Sequence, residues 1–98
     1  MPTYYSMKDW TLIGFEISKK KGKMYNAILI NNKNDKIKEM AFGSKNYENF
    51  SDLTGLDAYP HLIHGDEKRK KSYRARHKGF LKKGFYSPSF FSYAFLWS

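Results

Sequence analysis

The chain is predicted to be an α+β domain: a three-stranded antiparallel meander, then a basic helix, then a short aromatic C-terminal helix. Three observations predict this. Three segments of the first half are rich in β-branched and aromatic residues and are separated by short turn-forming clusters. Gly65-Asp66-Glu67 is a helix start signal placed directly before a run of Lys and Arg. Ser87-Pro88 is a second start signal, placed before an uncharged aromatic stretch. At 98 residues the chain amounts to one domain. Residues 8–43 form its sheet, 44–63 a connecting loop and 64–98 a helical part.

The first strand spans residues 9–18, where Phe15, Glu16 and Ile17 alternate. Lys19-Lys20-Lys21-Gly22-Lys23 ends it, and Met24 to Ile30 is the second strand. Asn31 to Asp35 is another turn cluster, and the third strand follows over 36–43, with Ile37 alternating against lysines. Short connections imply antiparallel neighbours, and lysines at the tips and edges oppose edge-to-edge pairing. Residues 44–63 show no period. They are expected to be a loop with one short helical turn near Tyr47–Phe50, pinned to the body by Tyr47, Phe50, Leu53 and Leu56.

The basic helix starts at Asp66, whose carboxylate is placed to accept backbone N–H groups of the first turn, while Glu67 complements the positive end of the helix dipole. Charge is distributed very unevenly around this point. Residues 1–67 hold 9 basic and 9 acidic side chains, whereas 68–83 hold 9 basic and none acidic, so the net +9 lies in that segment. Lys68, Arg69, Lys70, Lys71, Arg74, Arg76, Lys78, Lys82 and Lys83 are therefore the candidate polyanion-binding residues. Arg69, Tyr73, Arg76/His77 and Phe80 recur at helical spacing, which makes Tyr73 and Phe80 candidates for stacking on bases. A purely structural reading of the same stripe packs both rings on the core beneath the arginine stems and leaves the lysines to water.

The short C-terminal helix is expected over 88–96. Helical period places Phe90, Tyr93, Ala94 and Trp97 on one face and Phe91 and Phe95 on another. One such face suffices for a small domain's own core. The other is expected to dock on a protein, which makes Phe90, Phe91, Tyr93, Phe95 and Trp97 the candidate docking residues.

Other chemistries find little support. There is no cysteine, so disulfides and thiolate metal sites are excluded, which suits a reducing compartment. The N-terminus lacks a charged stretch followed by an apolar run, so no signal peptide is expected. The longest uncharged aromatic tract, 85–97, falls short of the roughly 20 residues needed to span a bilayer. His61-x-x-His64-x-Asp66 holds ligand-type side chains without the paired spacing of a zinc site. Neither a nucleophile motif nor a Gly-rich phosphate loop occurs. The chain is expected to be non-enzymatic, with no metal and no cofactor.

His64-Gly65-Asp66-x-x-Arg69-x-x-x-Tyr73-x-x-Arg76-His77, preceded by Phe42-Gly43-Ser44-Lys45-x-Tyr47 and followed by Ser92-x-x-x-Leu96-Trp97, resembles small basic proteins encoded by large nucleocytoplasmic DNA viruses, among them the chlorella viruses and relatives of mimivirus. The likeness covers roughly residues 24–97. The chain departs from that pattern at Ser92, which is followed by Tyr93 where the family has a Ser-Arg dipeptide. No enzymatic activity is attached to the family, so the resemblance implies a source and a setting: the virion, and the host cell interior before assembly. A structural component of the particle, a minor capsid or cement-type protein held by larger viral coat proteins, is the role it implies. The alternative is a nucleic-acid-binding protein that contacts the viral genome through 68–83. A third reading is attachment to a membrane, with lysines on anionic head groups and Phe90, Phe91, Phe95 and Trp97 in the interface.

Overall fold

Alternating polar and apolar residues in three consecutive segments produce the central sheet of the computed structural model, which describes residues 5–79 and 84–98. The segments are β2 (Trp10–Ile17), β3 (Lys23–Asn31) and β4 (Ile37–Ser44), following a two-residue strand β1 (Tyr5–Ser6). They pair antiparallel in the order β2-β3-β4, so the α+β class and the meander are as the sequence predicts. Cross-strand partners share a face. Tyr25 is opposite Ile17 and Phe42, and Ala27 is opposite Phe15 and Met40, which defines the inner face. Asn26 lies between Glu16 and Ala41, Ile28 between Gly14 and Glu39, and Ile30 between Thr11 and Ile37, which defines the outer one. A bulge between Leu12 and Gly14 leaves Ile13 out of register.

The inner face is covered by the C-terminal stretch. After α1 (Glu67–His77), β5 (Phe85–Tyr86) pairs with β1, and α2 (Pro88–Phe91) continues into a π-helical segment, Ser92–Leu96. Ser87 caps α2 through its hydroxyl, which accepts the N–H of Phe90 at 3.1 Å. Phe91 and Leu96 are fully buried, together with Tyr25, Ala27, Leu29 and Phe42 of the sheet. Rings meet there edge to face, Phe15 on Phe42 at 5.8 Å and on Phe95 at 4.7 Å. Such pairs add about 0.5–1.5 kcal/mol each beyond the area they bury. Gly43 has a left-handed backbone (φ 76°), and a Cβ there would lie 3.1 Å from both Leu96 Cδ1 and Met24 Sδ. Glycine is thus what lets β4 pass close under the C-terminal segment.

The connection expected over 44–63 differs from the expectation in its helical turn and its anchors. No helical turn forms near Tyr47–Phe50; a 3-10 turn forms instead at Pro60–Leu62. Tyr47, Leu53 and Leu56 are exposed and do not pin the loop; of the four residues expected to do so, Phe50 alone packs on the core, joined by Ala58, Tyr59 and Leu62. Backbone bonds clasp the rest: Asn49 N–H donates to Leu62 O, His64 N–H to Asn49 O, Ser51 N–H to Leu96 O and Leu53 N–H to Phe95 O. Tyr25 reaches the loop as well. Its hydroxyl donates to Asp52 Oδ2 and accepts the N–H of Ala58.

Candidate functional site

Helix α1 buries none of its residues, so its place is set by a few side chains at its edge. Asp66 caps it, its Oδ1 accepting the N–H groups of Lys68 at 2.9 Å and Arg69 at 3.2 Å, as the start signal predicts. Gly65, with φ 64°, makes the turn before the cap. The ring of Tyr73 lies flat on Trp97, with centroids 4.2 Å apart and planes at 8°. Burial raises the phenol pKa of Tyr73 above its ordinary value, against the pull of Arg76. The guanidinium of Arg74 sits 4.6 Å from the Tyr93 ring centroid and donates to Trp97 O and Ser98 Oγ. The ammonium of Lys70 lies 4.6 Å from the Phe50 centroid.

These contacts sort the nine candidate cations. Arg74 is a structural clamp on the C-terminal segment and Lys70 a half-buried cover over Phe50, so neither is a free phosphate contact. Arg69 pairs with Glu48 at 3.1 Å, both side chains being about half exposed. Lys68, Lys71, Arg76 and Lys78 are exposed. Lys82 and Lys83 lie outside the described residues, as does Phe80 of the two proposed stacking rings. The other, Tyr73, is already stacked on Trp97 with His77 4.4 Å away, so the expectation that it offers a face to a base is corrected.

The docking expectation is corrected too. Phe91, Tyr93 and Trp97 are buried, and Phe90 and Phe95 are partly buried against the same core. Two aromatic faces are accommodated because the segment lies between two partners: Phe91 and Phe95 turn to the sheet, Tyr93 and Trp97 to α1. The sequence reading had allowed the helix one internal partner. A second partner, α1 itself, removes the spare face.

A groove of about 640 Å³ runs between α1 and the end of β4 with the loop after it. Gly43, Ser44, Tyr47, Glu48 and Asn49 form one wall, Lys68, Arg69, Ser72, Tyr73 and Arg76 the other, and Ser92 and Trp97 the end. Its charged groups are three cations and the Glu48 carboxylate, which leaves it positive. Three separate stretches of the chain meet there: Gly43, Ser44 and Tyr47; Arg69, Tyr73 and Arg76; Ser92 and Trp97. Sequence reasoning missed Tyr47 as a site residue and treated it as a loop anchor. The available signal was a ring set among Lys45, Asn46, Glu48 and Asn49, a polar setting unusual for a packing residue.

His64 Nδ1 accepts the N–H of Asp66 at 2.9 Å, so its proton is on Nε2, a buried atom with no hydrogen-bond partner among the described residues, and the ring lies 5.2 Å from Trp97. His61 is exposed against Tyr59, so His61, His64 and Asp66 do not converge. Among the described residues no group of three or more His, Asp or Glu is placed to hold a metal. On the outer sheet face, Glu16 accepts a bond from Asn26 at 3.1 Å that lowers its pKa, while the neighbouring Glu16 raises that of Glu39. No helix among the described residues is long and apolar enough to cross a membrane. Comparison of the chain with protein-family models, with curated proteins and with solved structures found no match.

Proposed function

We infer that the protein is a non-enzymatic nucleic-acid-binding protein that contacts phosphates through the exposed cations of α1 and its C-cap. One observation carries the reading. Lys68, Lys71, Arg76 and Lys78 are exposed on α1 and at its C-cap, while the contacts that tie the helix to the body come from Tyr73, Arg74 and Lys70. A one-sign cluster on a fixed helix attracts polyanions and releases their condensed counterions on binding. The acidic side chains of α1 and its cap, Asp66 and Glu67, are confined to its N-terminal end, so the charges along the rest of the helix are all positive.

The test is a salt series with a fluorescent duplex. Four phosphate contacts correspond to a slope of about −3.6 in log affinity against log salt. A response at least that steep is expected; a flat one, or no binding at low salt, would end the reading.

A particle component held by larger coat proteins remains a second reading, with a different surface. Ile28, Ile30 and the half-exposed Ile37 lie together on the outer sheet face, opposite to the side that the C-terminal segment covers. That face, and not residues 90–97, is what such a partner would meet. Sedimentation of an Ile37→Lys variant against the parent chain tests it, since self-association that survives the new charge would point elsewhere.

A further inference from the structure

We propose that the groove between α1 and residues 43–49 holds an unstacked base of a single-stranded nucleic acid, with Tyr47 as its stacking ring and Lys68 and Arg76 on the adjoining phosphates. The inference rests on the phosphate-binding reading above and adds to it the kind of strand and the residue that recognises it.

Size, wall chemistry and the state of Tyr47 all bear on the assignment. The groove's volume of about 640 Å³ falls within the range of small-ligand clefts, roughly 300–1,000 Å³. A base within a duplex is paired and stacked and does not enter such a cleft, whereas a splayed base of a single strand does. Tyr47 is 72% exposed and shares the groove with Lys68, Arg69 and Arg76, and among the described residues no aromatic ring or cation stacks on its ring. A large ring left in water beside cations is the arrangement that single-strand binders use, because every base presents a π face. The hydroxyls of Ser44 and Ser72 and the amide of Asn49 offer hydrogen bonds to base edges along the walls. Glu48 is engaged by Arg69, and among the described residues Lys68 and Arg76 are the groove's cations without a carboxylate partner.

A strand is favoured over a free nucleotide by what lies past the groove. Lys71 and Lys78 continue from Lys68 along the same side of α1, so successive phosphates meet successive charges. A single nucleotide would use only the groove.

The experiment compares oligo(dT), a duplex, free thymidine monophosphate and a poly-glutamate peptide on the full chain and on its Tyr47→Ala and Tyr47→Phe variants. Oligo(dT) is expected to bind most tightly. Tyr47→Ala should weaken oligo(dT) about tenfold, in line with the loss of one base–aromatic stack, and leave duplex binding within twofold, while Tyr47→Phe retains the oligo(dT) affinity. If duplex binding persists but Tyr47→Ala leaves oligo(dT) unchanged, the groove assignment is wrong and the phosphate-binding reading stands. If neither nucleic acid binds at low salt, that reading fails and takes the groove with it. Equal affinity for poly-glutamate or for the free nucleotide would also overturn the assignment.

Discussion

Trp97 joins two halves of the molecule, because one side of its ring carries Tyr73 of α1 while the residue itself is 8% exposed in the core. Trp97→Ala should cost about 3–5 kcal/mol, as large-to-small changes of buried aromatic residues do. Tyr47→Ala, at an exposed ring, should stay within about 0.5 kcal/mol of the parent. Urea denaturation of the two variants checks both. Tyr25 makes a prediction in pH. Burial first, and then the neighbouring Asp52, push its phenol up to about 12 from an ordinary 10.0, so the fold favours the neutral form. The contribution is complete below pH 10 and is lost as pH rises toward 12. Melting of the parent chain should therefore fall more steeply across that window than melting of Tyr25→Phe, which retains only the smaller contribution of Tyr73. Parallel curves would show that Tyr25 ionises as freely folded as unfolded.

Helix α1 is stabilised at its first turn by Asp66 and along its length by few apolar contacts, so its cap matters more than in a well-buried helix. Asp66→Ala should cost about 1 kcal/mol, or about 4–8 °C in Tm for a domain of this size. A smaller shift measured by calorimetry would mean that Tyr73 and Arg74 hold the helix without its cap. This element was readable in advance because Gly65, Asp66 and Glu67 act locally, and the same holds for Ser87-Pro88 and for the three alternating strands. Strands β1 and β5 were not, since two residues carry no period and their pairing joins Tyr5 to Tyr86 across the whole chain. Residues 49–53 were unreadable for another reason: they are held by backbone bonds to 62–65 and 95–96, which depend on no side-chain pattern. The cations of the site could be listed from sequence, but not sorted. What separates Lys68 from Arg74 is the position of Trp97 and Ser98, a tertiary fact.

At the scale of the molecule, the charges of residues 1–67 balance, and the net positive charge lies in 68–83, most of it on α1. α1 sets exposed cations beside an accessible groove. The outer sheet face, with Glu16, Glu39 and the three isoleucines, is of mixed character. Lys68, Lys71, Arg76 and Lys78 are proposed to bind phosphate and not to support the fold. Changing these four to Gln and measuring duplex affinity across salt, beside the Tm, tests it most directly. The variant should melt within a few degrees of the parent, since exposed charges contribute about 0–1 kcal/mol, while its salt slope becomes shallower by about 3.6. An unchanged slope, or a collapse of the fold, would contradict the account.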